Sequence, residues 1–452
     1  MLVIFSDIHL TDETTAVNVA PEAFDILANE INSNAKDKKA KEIRVILLGD
    51  IFDLVRTDYW LKLPRGERPW NGELDRFTCM NTHPKLEEHF FILLNHIINK
   101  PSGTAFLKML NNLKANNPGI PIYINYVIGN HDRAFNNYET LKILLSEKLR
   151  DIDGNKIEFL NFYYASKYKT LCRHGNEFDE NNYGYSLYNI LLKNARTEPV
   201  TNRFDPEIYK VNTIGEVVTC ELMSGLIYRV QQKLKDTKFT KLLMDMNNVR
   251  PMLNVFSWLY WYGKDLTEDK QNAIMDAFIE SLKEVIDTDL AKEWTKIDKF
   301  PIQLKVDLID IFKIILNLIK DKDFYEVSKY VEIAKFLKKF HHTKDHFVEG
   351  AKFEWSLKSI EELQYVFYGH THISRNDFLE GHTNGLVKMY SNTGTYLPFI
   401  EQTEDKEGFT EAYQMTMAFV YSGEEDTNGK ADSISPSLDI WNGIKRKKYK
   451  ES

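Results

Sequence analysis

Cysteine is scarce. The chain of 452 residues has three, Cys79, Cys172 and Cys220, far apart and with no Cys-x-x-Cys pair. That excludes a disulfide framework and a thiolate zinc site, and it points to a reducing compartment. Basic charge is not in excess: 58 Lys and Arg stand against 66 Asp and Glu, a formal charge of -8. Bulk charge therefore gives no support to a nucleic-acid partner. Long uncharged apolar runs are missing as well. The most apolar long segment, Ile302 to Ile319, carries Lys305, Asp307, Asp310 and Lys313 at intervals. It reads as an amphipathic or buried helix, and no transmembrane segment is expected. The stretch from Met1 to Asp7 has no basic region, and its apolar run is too short for a signal peptide. No solenoid-length repeat is present. The expectation is a soluble, cytoplasmic protein.

What is present suits a globular chain of two or three domains, since a 43% hydrophobic content is too high for a disordered one. Short apolar, β-prone runs recur and stop abruptly at polar residues. Leu2 to Phe5 ends in Ser6-Asp7-Ile8-His9, and Ile43 to Leu48 ends in Gly49-Asp50-Ile51-Phe52-Asp53. Ile122 to Ile128 ends in Gly129-Asn130-His131-Asp132, and Tyr168 to Arg173 runs into His174-Gly175. Tyr365 to Tyr368 ends in Gly369-His370-Thr371-His372. Ile157 to Tyr164 reads as one more strand. Helices are predicted over Pro21–Asn34, Lys85–Asn99, Thr104–Asn116 and Glu139–Arg150. Strands alternating with helices predict an α/β layered domain with its site beyond the strand ends.

From about Glu180 to Trp355 the pattern turns helical, with helices expected at Tyr185–Ala195, Ile214–Leu234, Lys270–Trp294, Ile302–Lys320 and Val327–Phe340. The predicted organisation is a first part of a catalytic domain at 1–179, an all-α insertion at 180–355, and a second part at 356–452. The insertion is read as either a substrate cap or an interaction module. Its apolar cluster of Phe256, Trp258, Leu259, Tyr260 and Trp261 reads as core. Strands resume at Tyr365, Val387–Tyr390, Tyr413–Tyr421 and Ser437–Trp441. The run Lys445-Arg446-Lys447-Lys448 with Lys450 reads as a solvated terminus. The loop Leu61–Pro84, with Arg65, Arg68 and Trp70, is expected near the mouth of the site.

Histidine is the commonest metal-ligand side chain, and residues i and i+2 of an extended chain point the same way. His370 and His372 are thus candidates for part of a metal site. The five clusters together offer carboxylates, imidazoles and one carboxamide. Two divalent ions about 3.5–4 Å apart need a shared carboxylate with neutral ligands on each side. Mixed nitrogen and oxygen donors suit manganese first, with iron, zinc or nickel also fitting.

This set of clusters, with Ser391-Asn392-Thr393-Gly394-Thr395, resembles the calcineurin-like metallophosphoesterase superfamily over residues 1–179 and 356–452. The resemblance implies a four-layer α/β/β/α sandwich with a two-metal centre. One ion would be held by Asp7, His9 and His372, the other by Asn130, His174 and His370, with Asp50 bridging. It implies hydrolysis of a phosphodiester or phosphomonoester by a hydroxide bridging the ions, with His131 as general acid held by Asp53. Arg133 is expected in a surface salt bridge in preference to a phosphate contact. Protein phosphatases carry an Asp-Arg-Gly where Asp53 is followed by Leu54-Val55, and a Glu where Asp132 stands. The clusters are more similar to the UDP-diacylglucosamine pyrophosphohydrolase group, from which the chain departs in having His131 where those enzymes carry Arg and in its much larger insertion. A nuclease or a nucleotide pyrophosphohydrolase of the same fold is the alternative. So, from a different class, is a partner-binding protein that uses the insertion and has a vestigial metal centre.

Overall fold

A computed structural model describes residues 1–72, 83–149, 157–194, 198–297, 307–319, 325, 333, 345–357, 362–381, 387–426 and 436–450. Four parallel strands begin the first sheet: β1 (Leu2–Phe5), β2 (Ile43–Leu48), β3 (Ile122–Val127) and β4 (Glu158–Leu160). A second group comes from further along the chain: β5 (Phe162–Ala165), β6 (Thr170–Arg173), β7 (Val249–Arg250), β8 (Tyr365–Tyr368), β9 (Ser374–Gly381), β10 (Val387–Thr393), β11 (Phe399–Gln402), β12 (Phe409–Tyr421) and β13 (Ser437–Lys450). The first sheet runs β4-β3-β2-β1-β12-β11-β7, with β13 paired to β12. The second runs β5-β6-β8-β10-β9.

The strands of the parallel block are apolar at nearly every position because both faces are covered. Leu2, Ile4, Ile46, Leu48 and Val127 of the first sheet share one core with Ala165, Cys172 and Phe367 of the second. The alternate residues Val3, Phe5, Val45 and Leu47 turn the other way. There they join the core formed with Phe24, Leu27 and Ile31 of helix Ala23–Asp37 and with Phe106, Leu110 and Leu113 of helix Pro101–Asn116. On the outer face of the second sheet, Leu171, Val366 and Tyr368 pack with Ala351 of helix His346–Ser356. Each fully buried Leu, Ile or Phe side chain contributes roughly 1.5–3 kcal/mol. Mixed α/β architecture is thus observed. Phe256, Trp258 and Leu259 are buried in the core, as their pattern predicts.

Several expectations need correction. Ile157 to Tyr164 is two strands, because the chain passes from the first sheet to the second at Asn161. The stretch read as all helical contains β7, which adds to the first sheet beside β11. Ile214–Leu234 has a π-helical segment, Val218–Ser224, between α-helical ends. Lys270–Trp294 divides into Glu268–Asp287 and Asp289–Trp294 at Thr288, whose hydroxyl caps the second piece by accepting from Ala291 N. The helix expected over Ile302–Lys320 is Leu308–Leu318 in its described part, and Val327–Phe340 lies outside the described residues. Strands β9 and β11 were not foreseen. The basic run lies within β13, with Lys450 opposite Phe409. No helix among the described residues is long and apolar enough to cross a membrane.

Candidate metal centre

The five clusters meet beyond the ends of β1, β2, β3, β6 and β8, where the two sheets share an edge. The backbone device that brings them together is curled. Asp7, His9, Asp50, His370 and His372 all lie in the left-handed region, with φ of 51°, 49°, 52°, 68° and 63°. Extended i, i+2 spacing therefore does not aim His370 and His372, and the two rings go to different places. A left-handed non-glycine residue costs on the order of 1–3 kcal/mol and persists where its surroundings impose it. The loops also require close approach. A Cβ on Gly129 would stand 2.3 Å from Asp50 Oδ1, and one on Gly49, itself at φ 85°, 2.3 Å from His174 Nδ1.

Two groups of donors result. In the first, His9 Nε2 faces His372 Nε2 at 2.9 Å, and Asp7 Oδ1 lies 3.6 Å and 3.5 Å from these two atoms. In the second, His174 Nε2 lies 3.3 Å from Asp50 Oδ2, and His370 Nδ1 lies 2.9 Å from Asn130 Oδ1. Asp50 belongs to both, because its Oδ2 is also 3.8 Å from His9 Nε2. Asp7, His9, Asp50 and His174 are fully or almost fully buried.

The far side of each ring is held. His9 Nδ1 pairs with Asp53 Oδ2 at 2.9 Å, His174 Nδ1 with the Leu48 carbonyl at 2.8 Å, and His370 Nε2 with Asp179 Oδ2 at 3.1 Å. Such outer partners fix the ring and its tautomer when the inner nitrogen binds a cation. His174 Nε2 is buried with no hydrogen-bond partner, which fits a nitrogen placed to receive one. His372 is different: Arg250 Nη2 donates to its Nδ1 at 2.7 Å.

Charge follows the same geometry. Burial opposes ionisation of Asp50, yet His174 and then His131 hold its carboxyl far below the usual range. Burial disfavours the His174 cation, but Asp50 outweighs it and pushes the imidazole up to about 10. The field that retains a proton there is the field a metal cation would meet. Burial, and then the charge of Arg250, hold His372 well below the ordinary imidazole range. Asp132 is drawn up to about 7 by burial and by Asp50. Its two oxygens accept from Gly129 N, Ile51 N and the Tyr126 hydroxyl, tying the second and third clusters together.

His131 stands over the centre. Its Nδ1 is 3.0 Å from Asp53 Oδ1, in ion-pair contact without hydrogen-bond alignment, and its backbone N–H donates to Asp50 Oδ1 at 2.8 Å. Asp53 thus touches His9 and His131 with opposite oxygens. Burial works against its ionisation, but His131 and Arg56 hold its carboxyl well below the usual range. The segment Ser391 to Thr395 props the loops: Thr395 Oγ1 donates to the Asp7 carbonyl and Asn392 Nδ2 to that of Gly369.

A cavity of about 320 Å³ opens on Asp50, Asn130, His131, His370 and His372. Its other wall comes from the helical stretch, through Thr219 and Met223 of the π-helical segment and through Arg250 and Met252. Two sequence expectations fail here. Arg68 and Trp70 do not line the cavity; both bind the buried Glu221 carboxylate, and residues 73–82 of their loop lie outside the described residues. Arg133 makes no surface bridge, because it is buried on Glu216 with Nε to Oε1 at 2.7 Å. Sequence reading missed Arg56, Asp179 and Arg250. Arg56 and Asp179 each stand a few residues past a named cluster, which is a usable signal. Arg250 has none.

The oxygen and nitrogen donors could hold a metal ion: Asp7, His9 and His372 form one group and Asp50, His174 and His370 another, with Asn130 Oδ1 2.9 Å from His370 Nδ1. No family model matches this chain, and comparison with curated proteins gives no match.

Proposed function

We propose that this protein is a phosphoesterase dependent on two divalent cations, built as a metallophosphoesterase sandwich with a helical insertion over its site. The observation that carries this reading is the position of Asp50, whose single carboxylate faces both donor groups, 3.3 Å from His174 Nε2 and 3.8 Å from His9 Nε2. Two cations bound there would supply Lewis acidity toward phosphoryl oxygens and lower the pKa of nearby water. The sharing of one core between the two sheets supports the sandwich.

The residues of the chain do the rest. His131 borders the cavity and delivers a proton to the leaving oxygen, while Asp53 keeps the ring turned toward it. Asp53, Leu48 O and Asp179 orient the three histidines His9, His174 and His370, so that ring entropy is lost on folding and not on binding. An alkoxide leaving group needs such an acid, which favours an ordinary phosphomonoester or phosphodiester. Manganese is the first choice of ion, because the donor set is mixed imidazole and carboxylate without sulfur.

Purified protein with Mn²⁺ is expected to hydrolyse p-nitrophenyl phosphate or its bis ester, and EDTA to abolish this. His131→Ala should lower kcat on an alkyl phosphate ester by about 10²–10⁴, and by much less on the p-nitrophenyl esters, while retaining bound metal by elemental analysis. Hydrolysis that survives Asp50→Ala would overturn the reading.

A further inference from the structure

Arg56 and Arg250 are two cationic side chains to which the proposed reaction assigns no contact with substrate. Both line the cavity beside the donor groups. Arg56 is 5% exposed, and its Nη1 has no hydrogen-bond partner. Its Nε lies 3.4 Å from Asp53 Oδ2, but that carboxylate already serves His9, His131 and two backbone N–H groups. Arg250 donates to two carbonyls, of Asn247 and Val249, and to His372 Nδ1. Among the described residues no carboxylate lies within ion-pair distance of it. Arg56 is buried and Arg250 partly so, and two like charges facing one cavity repel until an anion arrives.

The two side chains come from distant parts of the chain. Arg56 follows the second cluster, and Arg250 ends β7, which fixes it by pairing with Ile400 and Glu401 of β11. An arginine on a sheet strand is a rigid element, and guanidinium matches phosphate in geometry. The bond to His372 Nδ1 also makes Arg250 responsive. A cation on His372 Nε2 would require the ring proton to sit on Nδ1, which then could no longer accept, and would leave Nη2 to a ligand oxygen. The cavity lining also includes the apolar side chains Met223, Met252, Phe347 and Ile373.

We propose that Arg56 and Arg250 form an anion clamp, and that the cavity takes a small molecule carrying a second phosphoryl group next to the one held at the metal centre. The clamp rests on the phosphoesterase reading for what is hydrolysed, but not for what is bound. The size of the cavity, at about 320 Å³, suits a compact doubly phosphorylated ligand.

Binding separates the two claims. Calorimetric titration of EDTA-treated protein with inorganic pyrophosphate, inorganic phosphate and malonate needs neither metal nor turnover. Pyrophosphate is expected to bind at least about tenfold more tightly than phosphate, each guanidinium contact being charge-assisted. Arg56→Gln and Arg250→Gln should each weaken pyrophosphate by about tenfold and phosphate by much less. Far-ultraviolet circular dichroism and thermal midpoints check that both variants fold, and Arg56→Lys with Arg250→Lys provide folded alternatives if glutamine does not. Equal affinity for pyrophosphate and phosphate overturns the clamp, as does equal loss of both in the variants. Malonate binding as tightly as pyrophosphate overturns the assignment to phosphate. Pyrophosphate binding without any metal-dependent hydrolysis would keep the clamp and sink the phosphoesterase.

Discussion

Asp53 shows how much one carboxylate can organise. Its Oδ2 holds His9, a candidate metal ligand, and its Oδ1 lies against His131, the candidate acid. Backbone N–H groups of Val55 and Arg56 keep it in place. The carboxylate must therefore act on metal affinity and on proton transfer at once. Asp53→Asn is expected to weaken metal binding by about 10–100-fold, the usual cost of losing such an outer partner. It should also lower kcat at saturating Mn²⁺, since the neutral amide no longer supports a charged His131. His131→Ala separates the effects, lowering kcat alone. Metal titration by competition with a fluorescent chelator, run beside steady-state kinetics, makes the comparison. Wild-type metal affinity in Asp53→Asn would mean that His9 does not depend on Asp53.

Between elements, the joint of greatest consequence is where the third cluster meets the helical stretch. Arg133 Nε donates to Glu216 Oε1, and Glu216 Oε2 accepts from Thr213 N in a capping box that starts the helix bearing Thr219 and Met223. Removing Glu216 takes the carboxylate away from the buried Arg133 guanidinium. Glu216→Ala is expected to destabilise the protein by about 3–5 kcal/mol, read from the urea unfolding midpoint. A cost within the range of an ordinary surface substitution would show the joint to be incidental. The strands before each cluster could be read in the sequence because a short β-prone apolar run, cut off by glycine or a polar residue, has the length and ending of a buried strand and is too short for a helix. The helices that cover them could be read from their own apolar spacing. The sheet switch at Asn161 could not be read, since local pattern does not say which sheet a strand joins. Two-residue β7 is below any periodicity, and the extent of β13 was hidden because its basic run lacks an apolar alternation, although its partner β12 directly precedes it. The donors at strand ends were legible residue by residue. Arg250 was not, because only the fold brings it 2.7 Å from His372 across the intervening chain.

The whole molecule carries an electrostatic load at one point. Three aspartates, Asp7, Asp50 and Asp53, are buried within a few ångströms of four imidazoles, and the left-handed loops that hold them add backbone strain. Cation binding should relieve this, and it stabilises the fold by mass action, by about 2.7 kcal/mol per site at a hundredfold excess over Kd. Thermal unfolding in Mn²⁺ against EDTA is thus expected to give an upward shift of a few degrees. Its division among variants tests the number of sites. Asp7→Asn and His174→Ala each touch one donor group and should each lose part of the shift. Asp50→Ala touches both groups and should lose nearly all of it. The comparison is between shifts and not absolute midpoints, since Asp50→Ala also removes the acceptor of the His131 N–H and a repelling charge. If Asp7→Asn alone erases the whole shift while His174→Ala leaves it intact, the protein holds one cation, and the bridging role of Asp50 falls with the second.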